Sequence, residues 1–102
     1  MDRQAESIVE RLATETIRVG ADRLEVEYKD GYEEVVVARG GVGFGIARFA
    51  SSSPEALALR DELRRLVKRR LRIEIGGVQY ELRGSVYESF GEDAFRVSLR
   101  RV

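Results

Sequence analysis

Two kinds of hydrophobic spacing alternate along the chain. Ala5, Ile8, Val9, Leu12, Thr16 and Val19 recur every three or four residues, which predicts an amphipathic helix. Asp2 is placed to cap its start, and Gly20 suits the left-handed residue just past its end. From residue 23 the period drops to two. Leu24, Val26 and Tyr28 alternate with Glu25 and Glu27, as a half-buried strand requires. Asp30-Gly31 then predicts a tight hairpin turn, and EEVVVAR a return strand that ends at a second turn, Gly40-Gly41.

Beyond that turn lies RGGVGFGIARF, four glycines in a stretch otherwise rich in Val, Ile and Phe. Strand alternation puts Val42, Phe44 and Ile46 on one side and Gly43, Gly45 and Ala47 on the other. A strand with one bare face admits close approach of a helix or another backbone. G-V-G-F-G superficially resembles a nucleotide loop, but a phosphate site needs its glycines to open directly onto a helix, followed by Lys and Ser or Thr in the Walker version. Here eight residues separate Gly45 from Pro54 and no Lys follows, so the hairpin-and-strand reading is preferred.

A second helix is signalled by SSSPEALALRDELRRLVKRR, with Ser53 as cap, Pro54 at the first helical position and Glu55 near the positive end of the dipole. Its expected core stripe is Ala56, Leu59, Leu63, Leu66 and Val67. Three further strands follow: LRIEI, a Gly76-Gly77 turn, VQYELRGSVY, a loop ESFGED, and AFRVSLRRV. The order is helix and three strands, twice over. It predicts one α+β domain over residues 1 to 102, a two-layer sandwich with about six antiparallel strands and both helices on one face.

Composition narrows the chemistry. The 102 residues are 43% hydrophobic and 35% charged, the balance of a chain that buries a core and stays in solution. There is no Cys and no His, which removes thiolate metal sites, disulfides and the commonest general base. Acidic pairs such as Glu33-Glu34 and Glu92-Asp93 fall at turn-proximal, exposed positions, where a carboxylate makes a poor acid or base. The expectation is a non-enzymatic protein without cofactor or metal. No apolar run approaches the roughly 18 residues of a membrane span, and MDRQAESIVERL is too polar for a signal peptide, so a cytoplasmic location is expected.

Net charge is zero, yet residues 1 to 37 carry ten acids and five bases while residues 38 to 102 carry eight and thirteen. Much of the positive excess lies on the second helix. The candidate surface for a protein partner is the edge of the glycine-rich strand or this basic helix, where Arg64, Arg65, Lys68 and Arg69 are the candidate partner-binding residues, suited to an acidic patch. A second reading has the same cations track the phosphates of a nucleic acid, although Asp61, Glu62 and Glu74 interrupt them and cations at a helix end satisfy the dipole in any case. A third is an engineered scaffold without natural function, which the strong caps and clean alternation would suit.

Taken together, VGADRLEVEY, ARGGVGFGIARF and GGVQYELRGSVYESFGED resemble the domain that precedes the motor core in the traffic ATPases of type II secretion and type IV pili. Gly20, Ala21, Leu24, Val26 and Glu27 match that family's first motif. Gly41 and Val42 match its second, and Tyr80, Glu81, Leu82, Arg83, Ser85, Gly91 and Glu92 its last. Asp22, Arg23 and Glu25 stand where the family has Ser-Asp and His. Val36 and Ala38 stand where its arginines reach a nucleotide, and no Walker A sequence is present. The resemblance implies an accessory domain that docks a secretion or pilus component and neither binds nor hydrolyses ATP by itself.

Overall fold

The computed structural model describes residues 7–102. Helix α1, Ile8–Arg18, begins at Ser7, which has extended backbone and whose hydroxyl accepts the Glu10 N–H at 3.2 Å. A residue from the other helix completes the cap. The Glu62 carboxylate accepts from the Ser7 hydroxyl and from the N–H groups of Ile8 and Val9, setting an anion against the positive end of the α1 dipole. Asp2 and Ala5, expected as cap and first stripe residue, lie outside the described residues. At the far end Gly20 takes a φ of +83°, as expected just past a helix.

Three strands follow, β1 (Arg23–Lys29), β2 (Tyr32–Arg39) and β3 (Val42–Ala50). Helix α2, Pro54–Lys68, is capped by Ser53, whose hydroxyl accepts the Ala56 N–H at 3.1 Å. Three more strands complete the fold, β4 (Leu71–Ile75), β5 (Val78–Ser89) and β6 (Glu92–Arg101). All six form one antiparallel sheet in the order β3-β2-β1-β6-β5-β4. The two meanders therefore join through their first and last strands, with Leu24 opposite Val97 and Val26 opposite Phe95.

Both helices pack on one face of this sheet, giving the two-layer α+β sandwich. The inner layer is set by alternation: Leu24 and Val26, Val35 and Val37, Leu82, and Val97 and Leu99 meet Ile8, Leu12, Leu59 and Leu63 in one continuous core. Burying each large aliphatic side chain contributes about 1.5–3 kcal/mol. Thr16 lies fully within this core, its hydroxyl donating to the Leu12 carbonyl at 2.7 Å. Among the described residues no helix is long and apolar enough to cross a membrane.

Several expectations are corrected by the packing. Val67, expected in the α2 stripe, is 38% exposed, and Tyr28, at the end of β1, is 44% exposed. The register of β3 against β2 slips between Val35 and Val36, so that Ala47 faces Val35, Gly45 faces Val36 and Ile46 is the extra residue of a bulge. The insertion reverses the alternation, and Ala47 leaves the bare side to pack against the core. Nothing closes down on the glycines that remain there. A Cβ at Gly45 would meet only the Val35 carbonyl, at 3.8 Å. The close approach expected of that strand occurs instead at Gly84 on β5, where a Cβ would sit 3.1 Å from the Leu66 and Val67 backbone of α2.

ESFGED is also not a loop. β5 runs to Ser89 and β6 starts at Glu92, joined by a two-residue turn with φ of +51° at Phe90 and +81° at Gly91. Positive φ at both central residues is the hairpin geometry that Asp30-Gly31 adopts as expected. Phe is a costly residue there, and its side chain is fully exposed.

Candidate interaction surface

The four cations singled out on α2 are all exposed. Successive residues of a helix turn by about 100°, so Arg64, Lys68, Arg65 and Arg69 fan in that order across the solvent side of α2, opposite the core stripe of Ala56, Leu59, Leu63 and Leu66. Arg65 and Arg69 line a depression of about 480 Å³ between the helices, whose wall includes Ile8, Glu62 and Leu66. Arg64 borders a different depression beside Glu33, Leu57 and Arg60. Arg65 is already paired with Asp61 one turn back.

The next cation on that flank has a structural task. Arg60 donates to the Glu33 carboxylate at 2.8 Å and to the Ser51 carbonyl at 3.1 Å, while the Ser51 hydroxyl donates to Glu33 at 2.6 Å. Glu33, expected to be exposed, is only 5% exposed. It shares its side of β2 with Val35 and Val37 and therefore points under α2. The pair fastens α2 to the sheet through charge-assisted hydrogen bonds.

Among the described residues no helix covers the opposite face of the sheet, and its centre is polar. The Tyr87 hydroxyl reaches from β5 across β6 to β1, donating to Glu27 at 2.9 Å and lying 3.4 Å from Glu25. Ser89 donates to Glu27 at 3.2 Å, and Arg96 to Glu25 at 2.9 Å. Ala94 lies between Tyr87 and β1 and is 1% exposed, because only a small residue lets the tyrosine span it. Burial, the bond to Glu27 and the charges of Glu25 and Glu27 push the Tyr87 hydroxyl well above its ordinary value, against the opposing pull of Arg96. A tyrosine held this way keeps its proton and acts as a donor, not as a base. Farther along, Glu81 is nearly buried and lies within 3.8 Å of Arg70, Arg83 and Arg100. These carboxylates stitch strands together. Among the described residues no group of His, Cys, Asp and Glu is arranged to hold a metal.

The two edges of the sheet differ sharply. β4 has five residues, LRIEI, and two of them, Arg72 and Glu74, are charged and exposed. Short, charged strands resist pairing with other chains. β3 has nine, with a single charge, Arg48. That guanidinium does not guard the edge, because it lies back over the Tyr32 ring of β2 at 3.8 Å from the centroid. Val42 is 64% and Phe44 38% exposed on the side of the sheet that carries Val37. A strand edge presents backbone N–H and C=O groups to any extended segment that comes alongside. Only the bulge at Ile46 interrupts it.

The cations of α2 were legible in the sequence as a charge run. The Tyr87 network was not, since its members lie 60 to 62 residues apart, and nothing local announces that β1 lies next to β6. The burial of Glu33 did leave a signal, its phase with Val35 and Val37. Compared with known proteins, the chain matches no family model and no curated protein.

Proposed function

We propose that the chain is a non-catalytic protein-interaction domain that docks a partner by strand addition along the open edge of β3. The observation that carries this reading is the contrast between the edges. β4 is short and bears two exposed charges beside the exposed Leu71, while β3 is nine residues long, lays its one charge back over Tyr32 and exposes Val42 and Phe44. Backbone pairing would supply affinity, and the two apolar side chains a measure of specificity. The absence of His and Cys from the sequence and the engagement of Glu25, Glu27, Glu33 and Glu81 with their own donors support the non-catalytic part.

The resemblance to the accessory domain of traffic ATPases gives the first partner class to seek, a secretion or pilus component. Gly41 and Val42, which match that family's second motif, open the β3 edge. Arg65 and Arg69 provide a second, weaker contact for an acidic partner surface.

A photo-cross-linking amino acid placed at Val42, and as a control at Glu74 on the guarded edge, tests the reading inside cells that make the protein. A discrete protein adduct from position 42 and none from 74 is the expected result. Equal yields from both edges, or no adduct from either, would remove it.

A further inference from the structure

Resting on the reading of β3 as a docking edge, we infer that the segment it receives is β3 of a second copy of this chain, paired antiparallel about a two-fold axis. Antiparallel pairing of identical strands is self-complementary, the requirement of an isologous interface. The chain meets its own copy with no net repulsion, because its eighteen bases balance its eighteen acids. The bulge confines regular pairing to the stretch from Val42 to Gly45. An axis through Gly43 then sets Val42 of each copy opposite Phe44 of the other. These are the exposed apolar residues of the edge, and in that register they form two cross-strand apolar pairs. Arg48 of each copy stays outside the paired stretch. The product is a continuous sheet of twice the six strands, with its two remaining edges formed by the guarded β4 strands.

Light scattering on the eluting protein reads the association directly. The wild-type chain is expected at twice 11.5 kDa and Val42→Lys at 11.5 kDa, with the variant's circular dichroism unchanged because position 42 is already 64% exposed. Glu74→Lys on the other edge leaves the dimer intact. The absence of cysteine allows an independent readout. A Cβ at Gly43 meets only Val36 Cγ1 at 3.5 Å and the Val37 carbonyl at 3.9 Å, so Gly43→Cys folds. Residues directly opposite in an antiparallel pair lie within disulfide reach, so this thiol cross-links two copies under mild oxidation while Glu74→Cys does not. A wild-type monomer at every soluble concentration, or a dimer that Val42→Lys leaves whole, overturns the self-pairing. A monomer whose position 42 captures a foreign protein overturns it but keeps the docking edge. A monomer that captures nothing removes both.

Discussion

Gly84 and Gly45 both sit within strands of one sheet and meet opposite surroundings. At Gly84 the backbone of α2 comes so close that a Cβ would lie 3.1 Å from Leu66 and Val67, whereas at Gly45 the nearest atom to a Cβ would be 3.8 Å away. One glycine is a packing requirement of the covered face, and the other leaves the uncovered face bare. The same division separates the carboxylates. Glu33, under α2, is held by Arg60 and Ser51, while Glu25 and Glu27, on the uncovered face, are held by Arg96, Tyr87 and Ser89 and remain half-buried. A residue type on this sheet acquires its role from whether a helix lies over it.

The largest effect expected from testing that division is Arg60→Ala. It leaves the Glu33 carboxylate buried with Ser51 as its remaining strong donor, and should destabilise the fold by about 3 kcal/mol in urea titrations. Adding Glu33→Gln should return part of the loss, since an amide carries no charge to strand. Next is Gly84→Ala, expected to cost about 2 kcal/mol because helix backbone cannot yield as a side chain would; a variant as stable as wild type would show that α2 rides higher over β5 than a 3.1 Å approach to that Cβ allows.

Tyr87→Phe on the uncovered face should cost about 1 kcal/mol, with acceptors that water can still reach. It should also change the response to alkali. The folded state holds the Tyr87 proton more tightly than the unfolded chain, so this contribution is complete below the ordinary value of 10.0 and fades as pH rises beyond it. Urea midpoints taken on either side of that pH should fall less in Tyr87→Phe than in wild type. The smallest effect is Gly45→Ala, expected to be neutral or to stabilise by about 0.5 kcal/mol through the unfolded chain. A loss as large as that of Gly84→Ala would erase the distinction between the faces.

Much of the architecture was legible because its signals are local. Ser53 and Pro54 mark the start of α2, Asp30-Gly31 the first hairpin, and the phase of Leu24 with Val26 the buried side of β1. The failures have physical causes of three kinds. A single inserted residue at Ile46 reverses the phase of everything after it in the strand, which moved Ala47. A bulky residue at positive φ defies turn chemistry, which hid the Phe90-Gly91 hairpin inside an apparent loop. Strand order has no local signature at all, so neither the tyrosine network nor the helix above Gly84 could be read from spacing. The candidate surface was half visible: the glycine-rich strand stood out, but its place at an unguarded edge depends on which strands neighbour which.

The seating of β1 beside β6 carries a consequence for the order of assembly. Each meander can close locally through its hairpins, but the seam between them joins residues such as Glu25 and Arg96, 71 positions apart along the chain. Loops that long close slowly. Until β6 is synthesised and docks, β1 exposes a sticky rim of its own, so a ribosome pausing within the second meander would hold the nascent protein at its most aggregation-prone moment.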